Sequence, residues 1–584
     1  MMTHEDEPFL YFNFINDQEG MNPLQFSNPI KQLVAHSIDK VIPCLLQVQQ
    51  AVDDGYYAAG YISYEAAPAF NEQYQVNEGN NMPFLWFGIF TEPTDEAIHE
   101  KRSFHAGAWQ PSVSIDTYDK NIDTIQQFIS EGMTKQVNYT VRLHSIFSGD
   151  AFAYYKQLEQ AQSANYTAYL HTGDFTILSA SPELFFRVKD EKIMTKPMKG
   201  TINRGRTYEE DLQQAAWLQN SQKNRTENQL IVDLMCEDLK KLAKPDSIRV
   251  PALFEIEKYP TVYQMTSTVT ADLSAATSLL DILTVLFPSG SITGIPRTAT
   301  MEMITELETD PRDVYCGTIG YITPQKEAVF NVPIRTVLIN NKDHRMQFGV
   351  GGAITRDSNK KEEYEEVLTK AKLLTKQPVN FQLLETFGLK DGHYLVFDNH
   401  LRRLQKSATY FDFAINIETI KSALQKKART YHSGKWKVRL LVQMNEELTI
   451  DMDKLAPTTT TVEVALAKEP IHKDNLFLYH KTTNRVVYEY HKEIALDYFD
   501  VLLWNEEQEV TEFTAGNIVV ERDGVFITPP ISCGLLPGTY REELVRKGSV
   551  IEQKVMVNEL TQFDHIWFVN SVREWIPVTL STEE

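Results

Sequence analysis

From Met1 to about Ala106 apolar and polar positions are mixed, with strand-like pieces at Tyr56–Tyr64 and Phe84–Phe90. Segments 163–173, 175–180 and 183–188 alternate or cluster β-branched and aromatic residues between turn signals. All five predict sheet strands. The period then lengthens, and a long helix is predicted over Tyr208–Ala243. Thr207 and Glu210 have capping-box spacing at its start, and Pro245 follows its end. A second helix is predicted over Arg297–Glu308, entered by Pro296 and stopped by Asp310-Pro311. A third, strongly charged helix is predicted over Lys361–Thr375. The run Lys376-Gln377-Pro378-Val379-Asn380 breaks that helix, and a fresh alternation opens at Phe381. The pattern predicts two α+β units, residues 1–376 and 381–584, each long enough for its own core.

Composition narrows the class without choosing a function. The 584 residues are 42% hydrophobic and 23% charged, as in ordinary globular proteins. A formal charge of −22 argues against nucleic acid and anionic membrane surfaces as partners. Cys44, Cys236, Cys316 and Cys533 are scattered, with no CxxC pair, which fits a reducing compartment. Met1–Leu10 carries acids where a signal peptide needs a basic and then an apolar stretch. No apolar run approaches the roughly 18 residues of a membrane helix. The expected location is the cytoplasm.

Three features of residues 130–370 carry candidate chemistry. Ser181-Pro182-Glu183 ends one predicted strand and Lys196-Pro197-Met198-Lys199-Gly200-Thr201 the next. A hairpin would bring Glu183 and Lys199 to one edge as a general acid facing a nucleophile. An exposed ion pair would have the same spacing. Glu227 lies on the long helix, while Glu363 and Glu366 share one face of the charged one. Carboxylates converging from two helices suit Mg²⁺, and a solvated acidic face fits equally well. Gly290-Ser291-Ile292-Thr293-Gly294-Ile295-Pro296 and Gly349-Val350-Gly351-Gly352 read as glycine-rich loops, without Walker or Rossmann spacing. They are either tight turns or amide cradles for a carboxylate.

The order and wording of these blocks say more than their spacing. Gln136-Val137-Asn138-Tyr139-Thr140 is followed by SPE, PMKGT, ENQLIVDLMCEDL, PSGSITGIPR, CGTIGY, NVPIRT, FGVGGAIT and EEYEEV. From about Gly55 to Leu374 the chain closely resembles the chorismate-utilising enzymes, whose fold has antiparallel sheets flanked by helices. The lysine of PMKGT resembles the members that make 4-amino-4-deoxychorismate; anthranilate and isochorismate synthases have alanine there. By that resemblance Lys199 would add to C2 of chorismate as the 4-hydroxyl leaves, with Glu183 as general acid. Ammonia would then enter at C4 and expel the lysine. Glu227, Glu363 and Glu366 match the family's Mg²⁺ positions. Arg335 and Tyr321 match positions gripping the enolpyruvyl carboxylate, and Thr293 with the Gly351 and Gly352 amides would complete the pocket. Four departures stand out: Met198 for isoleucine, Arg297 for lysine, Cys236-Glu237 for arginine-asparagine, and Gln264 for histidine.

Residues 381–584 hold a second ordered set. It comprises His400-Leu401-Arg402-Arg403-Leu404, His480-Lys481-Thr482-Thr483-Asn484-Arg485, Val510-Thr511-Glu512-Phe513-Thr514-Ala515-Gly516-Asn517 and Gly534-Leu535-Leu536-Pro537-Gly538-Thr539-Tyr540-Arg541. A glycine loop entering a helix is suited to phosphate. Together the blocks resemble fold-type IV pyridoxal-phosphate enzymes, which have two subdomains. The resemblance implies pyridoxal 5'-phosphate held covalently by Lys481, which would also shuttle the substrate α-proton. Glu512 would pair with the pyridine nitrogen, and Arg403, Gly538 and Thr539 would hold the phosphate. A lyase in this position would eliminate pyruvate from aminodeoxychorismate and give p-aminobenzoate for folate synthesis. Fold-type IV enzymes often dimerise, so a homodimer through this unit is an expectation.

Neither set supplies a glutaminase, and none of the four cysteines sits in a nucleophile elbow. Nitrogen is expected from free ammonia or from a separate glutamine amidotransferase subunit. The competing reading is an anthranilate synthase component whose second unit is silent, regulatory or only binds a partner. That reading predicts tolerance of Lys199→Ala.

Overall fold

The computed structural model describes residues 7–16, 20–21, 23–79, 82–95, 103–377, 379–456 and 461–581. Met1–Asp6, which carry part of the argument against a signal peptide, and Pro378 of the helix-breaking run lie outside them. The fold is α+β, in two compact units. One comprises Met1–Asn203 with Ala215–Pro378, the other Arg204–Gln214 with Val379–Glu584. Residues 204–214, expected within 1–376, are gathered with the second unit. The reason is local: Arg204 donates to the Tyr410 carbonyl, and His480 bonds the Arg206 carbonyl.

In the first unit the alternating segments form strands Tyr57–Ile62, Leu85–Phe90, Tyr166–His171, Phe175–Ser181 and Leu184–Lys189. They enter an eleven-stranded and a ten-stranded sheet, each built from antiparallel pairs. Both sheets contribute to one aromatic-rich core, with Phe12 and Phe26 of the first meeting Tyr61 and Phe90 of the second. Helices cover the outer faces. Ile38–Asp53, Gln222–Leu239 and Leu279–Leu286 pack apolar stripes on the ten-stranded sheet. Ile115–Ser130, Ala151–Gln162 and Lys360–Ala371 pack on the eleven-stranded one. Each fully buried phenylalanine in these layers contributes about 2–3 kcal/mol by leaving water.

Two expectations about local structure need correction. The long helix is two helices, Tyr208–Asn220 and Gln222–Leu239. Ser221 stands between them with extended backbone, its hydroxyl accepting from the Asn224 N–H and side chain. A serine that caps a new N-terminus satisfies orphan donors better than one inside a helix. Gly349–Gly352 is not a loop but part of the strand Arg345–Ile354. A Cβ on Gly349 would lie 2.2 Å from the Tyr315 ring, and one on Gly351 would lie 2.1 Å from the Tyr139 carbonyl. The glycines permit close approach of neighbours, not a turn. The other two helices form over Arg297–Leu307 and Lys360–Ala371, the latter followed by a 3₁₀ turn, Lys372–Leu374.

The second unit contains a four-stranded antiparallel sheet within residues 383–454 and an eight-stranded mixed sheet within 462–580. Phe397–Phe411 and Ile417–Thr430 cover the smaller sheet. No helix among the described residues is long and apolar enough to cross a membrane.

Candidate active sites

Glu183 and Lys199 flank the hairpin Leu184–Lys189/Lys192–Lys196, and both line one cavity of about 370 Å³. Glu183 is 4% exposed. Burial pushes its carboxyl up to about 7, against a backbone bond from Met198 and the charges of Lys199 and Arg335. The Ser291 hydroxyl donates to its Oε1 at 2.6 Å. Burial likewise pushes the Lys199 ammonium below the usual lysine range, against the pull of Glu183 and Glu227. Its Nζ donates to Asn138 Oδ1 at 3.1 Å, while the Asn138 amide donates to the Ser291 carbonyl at 2.6 Å. Asn138 and Ser291 thus tie the two chemical groups into one network. Their roles were hidden inside the quoted sequence blocks, because only the fold brings the strand Gln136–Gly149 beside Gly290–Ile292.

Arg335 also lines the cavity. It is buried, its backbone sits at φ 54°, and its Nη1 has no hydrogen-bond partner. An orphaned guanidinium N–H in a cavity is a standing demand for an anion, and a carboxylate matches its fork. Tyr321 is not in this cavity. It lies on Thr318–Ile322 with its ring against Phe12 and Phe14, because its strand position faces the core between the sheets. Tyr315 and Gln264 line the cavity instead. Thr293 is fully buried, and its hydroxyl donates to the Ser289 carbonyl, closing the loop rather than facing the cavity. Gly351 and Gly352 do line it, paired in register with Thr140 and Tyr139.

Three of the family departures have structural partners. Arg297 is paired with Asp238 at 2.7 Å, tying two helices together. Gln264 donates to the Thr201 hydroxyl. Glu237 pairs with Lys240 in an exposed position.

Glu227, Glu363 and Glu366 line the same cavity. Asn359 caps the helix of the latter two by accepting from the Lys361 and Glu362 N–H groups. Burial raises the Glu227 and Glu363 carboxyls, and the charge of Glu366 adds to both shifts. Glu366 itself is held low by Lys370, 2.6 Å away. Among the described residues no three His, Cys, Asp or Glu side chains are gathered into a finished metal site. The donor set nevertheless fits Mg²⁺, which takes few protein oxygens and keeps waters. A cation there would offset the burial, and the lesser Glu366 charge, that raise Glu227 and Glu363.

The second unit has a cavity of about 530 Å³ lined by Arg403, Lys481, Arg485, Glu512, Gly538 and Thr539. Burial, then the like charges of Arg485 and Arg403, push Lys481 down to about 7. Burial raises Glu512 to about 7, although its carboxylate accepts from the Leu536 N–H, Tyr488 and Asn517. Glu512 and Asn517 face each other across a tight hairpin, which the intervening small residues permit. Arg403 has its fork engaged by Glu385, at 2.8 and 2.7 Å, and a third donor on the Pro537 carbonyl. Gly538 precedes the helix Thr539–Arg546, and a Cβ there would fall 1.8 Å from Asn517 Oδ1. Glycine is therefore required for this loop to approach the cavity wall. A lysine pushed down to about 7, a buried acid and a glycine loop entering a helix fit pyridoxal phosphate. Tyr488, Asn517 and Glu385 were not singled out from sequence; seven residues after Lys481, Tyr488 gave no signal without the fold.

The family profile of the chorismate binding enzyme matches residues 91–376, and that of amino-transferase class IV matches 382–580. The chain joins a chorismate binding enzyme to an amino-transferase class IV domain. The chorismate-binding domain is similar to aminodeoxychorismate synthase component 1 of Escherichia coli (strain K12), 38% identical over 269 residues. That match covers 46% of this chain and 59% of the relative. It is also similar to anthranilate synthase component 1 of Aquifex aeolicus (strain VF5), 32% identical over 268 residues, 46% of this chain and 54% of the relative. The chain thus spans little more than half the length of these relatives. The fold is shared with anthranilate synthase component I from Streptococcus pneumoniae TIGR4, at 22% identity and a TM-score of 0.51 over 63% of this chain and 90% of that one.

The network around Glu183 makes a pH-dependent prediction. The Ser291 hydroxyl bond favours the ionised carboxylate, so its loss should raise the Glu183 pKa further. Ser291→Ala is expected to move the alkaline limb of the chorismate-domain rate profile upward by about one pH unit. Steady-state rates between pH 6 and 9 would check this, and an unmoved limb would remove Glu183 as the titrating acid.

Proposed function

We propose that the chain converts chorismate and ammonia to 4-amino-4-deoxychorismate and water, then cleaves that product to p-aminobenzoate and pyruvate. The observation that carries the first half is Lys199, a lysine of lowered pKa, in one buried cavity with Glu183, an acid pushed up to about 7. Burial works against the charged form of both groups, favouring an uncharged amine beside a protonated carboxyl. In the proposed reaction the Lys199 amine bonds to C2 of chorismate as the ring double bond shifts. The C4–oxygen bond breaks, and Glu183 donates its proton so that water leaves. Ammonia then bonds to C4, the double bond shifts back, the C2–nitrogen bond to Lys199 breaks, and Glu183 takes back the proton that the new C4 ammonium loses. Arg335 would hold a substrate carboxylate, and Asn138 would aim the amine. Glu227, Glu363 and Glu366 would hold Mg²⁺, which supplies positive charge to the remaining carboxylate.

In the class IV domain pyridoxal phosphate, when bound, supplies an electron sink for the carbon that bears the substrate amine. Lys481 would take the proton from that carbon. Glu512, fixed by Tyr488 and Asn517, would maintain the charge on the cofactor ring. Thr539 and the loop at Gly538 would hold the phosphate, and Arg403 would stiffen that loop through the Pro537 carbonyl. Ammonia would come from a separate glutamine amidotransferase subunit.

Product analysis tests the whole reading. The purified chain, mixed with chorismate, ammonium, Mg²⁺ and pyridoxal phosphate, is expected to yield p-aminobenzoate and pyruvate in equal amounts. Accumulated aminodeoxychorismate would sink the lyase half, and anthranilate would sink the first half. Glutamine-dependent turnover by this chain alone would remove the separate subunit.

A further inference from the structure

We propose that Arg204–Gln214, which in sequence interrupts the chorismate-binding domain between Lys199 and Glu227, is a positioning element of the Lys481 site. The class IV domain is incomplete without it. This rests on the reading that the Lys481 cavity takes pyridoxal phosphate.

The segment reads RGRTYEEDLQQ, polar and charged, with no apolar stripe to explain why it packs with residues 379–584. Specific bonds hold it. The Arg204 guanidinium pairs through two nitrogens with the Asp211 carboxylate, and both side chains are 4% exposed. It also lies 4.2 Å from the centre of the Tyr410 ring and donates to the Tyr410 carbonyl at 3.1 Å. The Tyr410 hydroxyl returns a bond to the Gly205 carbonyl at 2.8 Å. A Cβ on Gly205 would sit 2.2 Å from the Asp211 N–H nitrogen, so only glycine closes this loop. A buried ion pair of this kind adds little net stability, but it fixes one geometry, because either partner left alone is a costly uncompensated charge.

The geometry it fixes ends at His480, the neighbour of Lys481. His480 is buried, with its ring 4.4 Å from that of Tyr410 and 4.8 Å from that of Phe411. Its Nε2 lies 3.1 Å from the Arg206 carbonyl and its Nδ1 3.0 Å from the Ser407 hydroxyl. A carbonyl can only accept, so the proton sits on Nε2, and Nδ1 accepts from Ser407. Burial lowers the ring to about 4, against the Arg206 carbonyl bond, which favours the charged form, and it stays neutral at physiological pH. The charged groups around it are Arg204, Asp211 and Glu209. Beyond Lys481, Thr482 bridges to Leu383 and its hydroxyl accepts from the Asn484 N–H, while the Lys481 carbonyl accepts from the Leu384 N–H. The main chain carrying Lys481 is therefore clamped on both sides, and the Arg206 carbonyl is one jaw of the clamp. A reacting group must be held to about 0.5 Å to act, and supporting side chains set that tolerance.

The test uses the full chain titrated with pyridoxal phosphate. The readouts are the visible absorbance of the bound cofactor, its pH midpoint, and thermal melting. Asp211→Asn and His480→Phe are expected to weaken cofactor binding about tenfold or more and to move the pH midpoint. His480→Gln, whose amide can still donate to the Arg206 carbonyl, should stay within about threefold of wild type. Where Asp211→Asn does not fold, Tyr410→Phe removes the Gly205 bond alone and should show the same shift. Lower melting temperatures with unchanged affinity and midpoint would reduce the segment to a structural filler and overturn the proposal. A wild-type chain that never develops the band would overturn the cofactor reading and this inference with it.

Discussion

Lys199→Ala is expected to abolish synthesis of 4-amino-4-deoxychorismate, with kcat falling by about 10⁴-fold or more, as losses of covalent nucleophiles do. The size follows from the chemistry. Without the amine, no group from this side of the cavity can bond to C2, and ammonia would have to displace a poor leaving group directly at C4. The substitution also removes the ammonium charge that lowers Glu183, so residual activity should persist to higher pH than in the wild type. Binding should suffer far less, because Arg335 and the three glutamates are untouched. Chromatography of the products, with chorismate affinity measured separately, separates these effects. Survival of activity with anthranilate as product would favour the competing reading, in which an alanine at this position is ordinary.

The hairpin that unites Glu183 with Lys199 was legible because both carry local signals: strand alternation, a proline before each, and a short separation. The shared helix face of Glu363 and Glu366 was legible for the same reason. What escaped the sequence depends on distant partners. Ser221 splits one expected helix because its hydroxyl finds the Asn224 N–H, a bond that competes with helical continuation. Gly349 and Gly351 look like turn residues until Tyr315 and the strand through Tyr139 are placed against them. Tyr321 shares a block with the site, yet its strand turns it toward Phe12. The segment at Arg204 was the least legible. Its partners Tyr410 and His480 lie some two hundred residues or more downstream, and nothing in its own composition points to them.

The second large effect is expected from Lys481→Ala. This variant should lose the visible cofactor band and all formation of p-aminobenzoate, while chorismate, ammonium and Mg²⁺ still yield aminodeoxychorismate at close to the wild-type rate. The reasoning starts from charge. Burial with Arg485 and Arg403 nearby holds Lys481 at about 7, so about half of it is neutral at pH 7 and about nine-tenths at pH 8. Only the neutral amine can attack a carbonyl or accept a proton from carbon. Cofactor capture by the wild-type chain should therefore strengthen as pH rises through 7, and alanine should erase that pH dependence with the band. Accumulation of aminodeoxychorismate is the discriminating result, because it shows that the first reaction proceeds without the second. If Lys481→Ala still released pyruvate and p-aminobenzoate at the wild-type rate, the class IV domain would have no part in the cleavage. Its buried lysine, acid and glycine loop would then serve some other amine.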